Sequence, residues 1–156
     1  MPTNNVTRFL DSRKIKYIAH ELPAEKIGAV EAAQILNVPE AQVFKTIVTV
    51  REKGKSVLAV IPGDRSVDLK SLASFLGEKK MSLPTQNEAE KLTGLQAGGI
   101  SPLALINKGF QVVIDSACET YKEIYISGGQ RGVNIQIGVD DLIQLVNAKV
   151  STISKH

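Results

Sequence analysis

Three stretches of this chain carry residue types that chemistry can use. Lys45 stands inside the apolar run Val43-Phe44-Lys45-Thr46-Ile47-Val48. If that run is a strand, strict period-two alternation puts it on the same side as Val43, Ile47 and Thr49. An ammonium there must reach water or meet an anion, and taken alone a snorkelling side chain on a partly solvated face explains it. In Gly98-Gly99-Ile100-Ser101-Pro102 two glycines let a ligand or another backbone approach closely, and the proline stiffens the exit. Such a loop can aim main-chain N–H groups at a carbonyl oxygen, where one well-aimed donor is worth about 3 to 4 kcal/mol in a water-poor site. An isolated string of this kind also reads as a plain surface turn. The third stretch, Ser127-Gly128-Gly129-Gln130-Arg131-Gly132, is either a hairpin loop or the second wall of a pocket.

A protein nucleophile is hard to find. The histidines are His20 and the terminal His156, and Cys118 is the single cysteine, so neither a Ser-His-Asp nor a Cys-His arrangement is visible. His20 ends a predicted strand with no evident partner; it is read as a pocket residue or, with preference, as a satisfied strand-end histidine. Cys118 lies away from all three motifs in sequence and reads as a small packing residue. With no His or second Cys near it at ligand spacing, neither a metal nor a cofactor is expected. No strand-Gly-x-Gly-x-x-Gly-helix unit or Walker lysine motif occurs, which argues against dinucleotide or nucleoside-triphosphate chemistry.

The elements that must position these residues are legible as patterns. Val6, Phe9 and Leu10 follow cap candidates at residues 3–5 and predict an opening helix. Residues 15–22 read as a strand, and Ala29, Ala32, Ala33 and Leu36 as the buried stripe of a helix stopped by Asn37 and Pro39. Residues 43–50 and 56–61 predict a hairpin. A helix over 68–76 ends at Gly77, and Thr85 with Glu88 has capping-box spacing for a helix closed by Gly94. Residues 111–115, 123–127 and 133–137 read as strands, Asp140 as the cap of a last helix through Val146, and 150–153 as an edge strand. Helices interleaved with strand hairpins lack regular βαβ alternation. The fold class expected is mixed α/β, with a largely antiparallel central sheet wrapped by helices.

A chain of 156 residues suits one domain, 1–156, able to bury about two-thirds of its unfolded surface. A lone cysteine suits a reduced, cytoplasmic setting. No apolar run is long enough for a signal peptide or a membrane span, so neither secretion nor membrane insertion is expected. The net charge of +3 and pI near 9.0 are compatible with a polyanionic partner and well short of a dedicated nucleic-acid binder.

Taken together, Val43-Phe44-Lys45-Thr46, then Thr93-Gly94 followed by Gly98-Gly99-Ile100-Ser101-Pro102-Leu103, then Ile124-Tyr125-Ile126-Ser127-Gly128-Gly129-Gln130-Arg131-Gly132, resemble the YbaK family in order and spacing, over nearly the whole chain. The family is similar to the editing domain of bacterial prolyl-tRNA synthetases. The resemblance implies a strongly curved sheet and a pocket for the aminoacylated 3′ end of tRNA, with cysteinyl-tRNA(Pro) as the preferred substrate and prolyl-tRNA synthetase as the natural partner. It implies that Lys45 anchors the backbone of the terminal adenosine and that the loop Gly99 to Pro102, through Gly99, Ile100, Ser101 and Pro102, holds the aminoacyl carbonyl. A lysine serves as a point charge for phosphate. Thr46, Gly98, Ser127, Gly128, Gly129, Asn134 and His20 are the expected substrate-binding residues. It further implies that the substrate supplies the attacking group, either the cysteine thiol, forming a cyclic thioester, or water assisted by a ribose hydroxyl. Well-oriented intramolecular attack lowers a barrier by about 7 to 11 kcal/mol.

Two positions depart from the family pattern. Leu22 stands where some members have tyrosine, and Asn134 where some have aspartate near the pocket; both changes remove a group that orients substrate and bear on which amino acid is edited. Lys14, Lys16, Lys79 and Lys80 are read as solvated surface or as contacts to the tRNA backbone. Two competing expectations stand beside the deacylase. One is a non-catalytic module that binds a tRNA end or nucleotide and regulates a partner. The other is a hydrolase of a different small ester.

Overall fold

The computed structural model describes residues 2–156, so Met1 of the expected 1–156 domain lies outside the described residues. The first helix, α1 (Asn5–Ser12), starts where expected. The Asn4 side chain accepts from the Thr7 amide at 2.9 Å and the Thr7 hydroxyl accepts from the Asn4 amide at 2.8 Å, satisfying two donors of the first turn reciprocally. Strand β1 (Tyr17–Glu21) is shorter than the predicted 15–22. Next come α2 (Ala29–Leu36), β2 (Phe44–Arg51), β3 (Val57–Pro62) and the two-residue β4 (Ser66–Val67). The chain continues through α3 (Leu69–Leu76), β5 (Met81–Ser82) and α4 (Gln86–Thr93), whose Thr85–Glu88 capping box is formed.

Beyond α4 three sequence expectations are corrected. The segment after Ser101, read as the exit of a loop, is a 3-10 helix over Pro102–Lys108. The Ser101 hydroxyl caps it, accepting from the Leu103 amide at 3.2 Å, and proline suits its first turn because the missing N–H would be unpaired there. Strands β6 (Gln111–Asp115), β7 (Glu123–Ser127) and β8 (Val133–Gly138) follow. The last helix, α5 (Val139–Val146), begins at Gly138 rather than being capped by Asp140; Asp140 and Asp141 occupy its first turn, where carboxylates face the positive end of the helix dipole. The single edge strand expected at 150–153 is two short strands, β9 (Lys149–Ser151) and β10 (Ser154–Lys155). They are separated because Ile153, fully buried, turns inward and donates its amide to the Asp115 carboxylate at 2.9 Å.

The strands divide between a five-stranded sheet in the order β5-β2-β3-β6-β9, a three-stranded sheet β1-β8-β7, and the pair β10-β4. All ladders are antiparallel except β3–β6 and β6–β9. A parallel bridge between Val43 and Tyr125 joins the two larger sheets. The main core fills the space between them: Phe44, Val48, Leu58, Val60, Val112 and Ile114 from one sheet meet Ile124, Ile126, Ile135 and Ile137 from the other, closed by Leu10 and Leu142. On the far face of the larger sheet, Val57, Ala59, Ile61 and Val113 pack against Leu72 and Ala73 of α3. Every residue of β3 is therefore buried, which is why it reads as an unbroken apolar run with a parallel neighbour.

Candidate active site

Lys45 lies one residue into β2, where the bridge between Val43 and Tyr125 brings the two larger sheets together. Its Nζ donates to the Gly63 carbonyl at 3.2 Å. Among the described residues no carboxylate lies within ion-pair distance of it, the one ion pair being Arg51 with Glu78, so most of its donor capacity is available to an anion. Gly63 was not singled out by the sequence reading. Its amide donates to the Val43 carbonyl at 2.8 Å, and a Cβ there would stand 2.5 Å from the Ala29 Cβ and 2.7 Å from the Val43 oxygen. The Pro62-Gly63 dipeptide after an apolar strand was the available signal.

The glycine loop is clamped onto the turn between β7 and β8. The Arg131 Nε donates to the Ala97 carbonyl at 2.7 Å, and a Cβ on Gly99 would stand 2.7 Å from the Gln130 Cα. Gly98 has φ +92°, a conformation glycine adopts freely. The amides of the loop do not act alike. That of Gly99 is spent on the Gln96 carbonyl at 2.8 Å. That of Ile100 meets no protein acceptor among the described residues, and Ile100 faces the cleft.

A cleft of about 360 Å³ collects Lys45 and Thr46 from β2, Gly98 and Ile100 from the loop, and Ser127 and Asn134 from β7 and β8; residues 25–29, ahead of and into α2, form the facing wall. Ser127 pairs with Asn134, and Asn134 with His20, in register across the three-stranded sheet, so the three side chains share one face. Two oxygens in this cleft are buried without a partner, Thr46 Oγ1 and Asn134 Oδ1. Buried polar atoms are ordinarily hydrogen-bonded, so both oxygens keep unused acceptor capacity in residues that line the cleft.

The remaining predicted residues lie around this cleft rather than on its surface. Gly99, Ser101 and Pro102 are buried behind the loop; the Ser101 hydroxyl caps a helix rather than presenting a nucleophile. His20 is tied by Nε2 to the Gln136 side chain at 2.9 Å, which in turn donates to Glu123 at 3.1 Å, and its ring tilts against Tyr125. It belongs to the sheet that carries Asn134. Burial, and secondarily Glu123, raises the Tyr125 phenol above its ordinary value. Gly128 and Gly129 line a separate cavity on the other side of the turn. Cys118 is fully buried in the main core; burial, followed by Glu119 and Asp115, pushes its thiol up to about 11, which removes it as a thiolate nucleophile at neutral pH. Among the described residues no cluster of His, Cys, Asp and Glu suits a metal ion, and no helix is long and apolar enough to cross a membrane.

A cationic point charge, an unengaged amide and two unpaired oxygens in the residues around one small cleft, with no Ser-His-Asp or Cys-His arrangement among the described residues there, match a site that orients a reactive ester. The profile of the aminoacyl-tRNA editing domain matches residues 24–145. The chain belongs to the aminoacyl-tRNA editing family. A candidate Cys-tRNA(Pro)/Cys-tRNA(Cys) deacylase, EbsC of Enterococcus faecalis, is 32% identical over 152 residues, covering 96% of this chain and 92% of EbsC. The proline–tRNA ligase of Trichlorobacter lovleyi is 29% identical over 133 residues, 80% of this chain but 23% of the ligase, so a related domain sits inside a synthetase. A crystal structure of a candidate trans-editing enzyme for prolyl tRNA synthetase superposes with a TM-score of 0.82 at 26% identity, covering 99% of this chain and 100% of that one. The expected fold and the expected class of activity, an aminoacyl-tRNA deacylase that edits in trans, agree with these relatives.

Proposed function

We propose that this editing-family deacylase acts as a single free-standing domain in the cytoplasm and removes a small amino acid from the 3′ end of a mischarged tRNA, with Cys-tRNA(Pro) as the preferred substrate. The observation that carries the reading is the gathering of Lys45, Thr46, Ile100 and Asn134 around one cleft of about 360 Å³. Lys45 holds the phosphate of the terminal adenosine, tethered by Gly63 but not neutralised. The Ile100 amide faces the aminoacyl carbonyl and stabilises the oxyanion as it forms. Thr46 and Asn134 accept from the α-ammonium group and a ribose hydroxyl, which fixes the ester in register with the Ile100 amide.

With the acyl group so held, the attacking atom comes from the substrate or from water. In the thiol route the substrate cysteine's sulfur bonds to its own carbonyl carbon, the bond from that carbon to the ribose oxygen breaks, and the thiol proton ends on the ribose hydroxyl. In the water route the water oxygen bonds to the carbonyl carbon, the same ester bond breaks, one water proton ends on the ribose oxygen and the other is released to solvent as the free carboxylate leaves. Both need orientation and oxyanion stabilisation from the protein and neither needs a protein nucleophile. The name of EbsC favours cysteine, and the occurrence of related domains within proline–tRNA ligases favours that synthetase as the partner that selects the tRNA.

The test is amino-acid release from cysteinyl-, alanyl- and seryl-tRNA(Pro) by the intact protein and by Lys45→Ala. Fast loss of the cysteinyl ester that depends on Lys45 is expected. Survival of all three esters while tRNA still binds would replace the deacylase with a regulatory binding module.

A further inference from the structure

A second cavity, of about 650 Å³, lies on the other side of the turn that walls the cleft. Its floor is apolar, from Val6, Phe9 and Leu103, and its rim carries the exposed cations Arg8 and Lys108 with the amides of Asn107 and Gln130. Among the described residues no carboxylate lines it. The wall is held in place: the Asn4 side chain donates to the Gly128 carbonyl at 2.9 Å and to Gln130 Oε1 at 3.3 Å. The Arg13 guanidinium lies 5.0 Å from the Phe9 ring centroid, placing a third cation beside the groove.

We propose that this groove receives the unpaired nucleotides that precede the terminal adenosine, so that the protein grips the RNA strand as well as its aminoacylated end. The inference rests on the deacylase reading of the neighbouring cleft. Its chemistry is that of a single-stranded nucleic-acid site: cations for the backbone, an apolar and aromatic floor for base faces, and amides for base edges. The carboxylate-free lining complements a polyanion. The position also fits, because Ser127 lines the cleft and the next two residues, Gly128 and Gly129, line the groove. A strand whose last residue is fixed in the cleft by Lys45 has only that turn to cross. A protein partner docking here is the alternative occupant, and the experiment separates the two.

Binding of a fluorescein-labelled ACCA RNA oligonucleotide is measured by anisotropy across a range of KCl concentrations, for the intact protein and for Arg8→Ala/Lys108→Ala. Each single-strand phosphate contact contributes about −0.7 to the slope of log affinity against log salt. The double variant is expected to bind about tenfold more weakly and to lose about 1.4 from that slope. Its kcat/KM on aminoacyl-tRNA falls in parallel, while its cleavage of the corresponding aminoacyl-adenosine, which is too short to reach the groove, stays at the level of the intact protein. A second variant, Asn107→Glu, adds a carboxylate at an exposed position and is expected to weaken RNA binding with the same indifference on the short ester. Unchanged affinity and salt slope would overturn the proposal and leave the groove to a protein partner; an equal loss on the short ester would overturn it too, since the effect would then belong to the cleft. If no ester is cleaved by any form, the deacylase reading fails on its own, and the anisotropy still decides whether RNA occupies the groove.

Discussion

Gly99 and Gln130 touch backbone to backbone: a Cβ on Gly99 would stand 2.7 Å from the Gln130 Cα and 2.9 Å from the Arg131 nitrogen. The loop that presents the Ile100 amide is thus positioned by a glycine whose neighbour is main chain and cannot swing aside. Gly99→Ala is expected to push the loop off the turn. It should cost about 1 to 3 kcal/mol of stability through overpacking, and roughly 100-fold in single-turnover deacylation as the donor at Ile100 leaves its target. Urea melts and rapid-quench assays of the same preparation check both. A variant that melts earlier but cleaves at the normal rate would show that the Ile100 amide is not the oxyanion donor.

Lys45 and Gly63 make a similar pair at the other end of the site. Lys45→Ala removes a charge-assisted contact worth about 1.5 to 3 kcal/mol, so kcat/KM should fall by about 10- to 150-fold. Stability should change little, because the side chain is half-buried and has one protein acceptor. Gly63→Ala is expected to destabilise the fold, because the added methyl meets both the Ala29 Cβ and the Val43 oxygen. Comparing KM and kcat for the two variants separates loss of the charge from displacement of its tether.

Much of this arrangement was written into local patterns. The Thr85–Glu88 box, the apolar runs of β2 and β3, and the glycines of the two loops each announced an element or a reversal. The resemblance in motif order then linked segments about 30 to 80 residues apart in sequence. What stayed hidden depends on long-range placement. Periodicity assigns a side chain to a face of its strand but does not reveal that β3 pairs in parallel with β6 across a long excursion. Nor does the sequence show that the hydroxyl of Ser101 is consumed by a helix start, that the Gly99 amide is already paired while that of Ile100 is not, or that Gly63 lies under Lys45. The partner of His20, Gln136, sits on the neighbouring strand, and no local pattern names it.

The two unpaired oxygens lead to a prediction of opposite sign in stability and activity. Thr46→Val replaces a buried, unpartnered hydroxyl with a methyl of similar shape. Leaving a buried polar group unsatisfied costs about 1 to 3 kcal/mol, so removing it should leave the melting midpoint unchanged or raised. Deacylation should fall, since the substrate loses an acceptor. Asn134→Leu, 5% exposed at its position, should behave in the same way with a larger change in KM. A drop in stability for either variant, with activity intact, would mean that its oxygen serves the fold rather than the ligand.

Cys118 yields a pH dependence whose sign follows from burial. Its thiol stands at about 11 in the folded chain against an ordinary 9.0, so the folded state holds the proton more tightly than the unfolded state. The stability linked to it is fully present below pH 9, because both states are then protonated. It declines as pH rises from about 9 toward 11, where the unfolded chain ionises and the folded chain does not. Two pH units correspond to about 3 kcal/mol. Other groups titrate in the same range, so the measurement is a difference: urea midpoints at pH 8 and pH 10.5 for the intact protein and for Cys118→Ala. The variant should be less stable at pH 8 through the cavity it leaves, and its stability should fall less steeply on raising the pH. Its deacylation at pH 7 should match that of the intact protein, because the thiol lies in the main core and not in the cleft; loss of cleavage in a Cys118→Ala protein that still melts cooperatively would put a protein thiol back into the reaction.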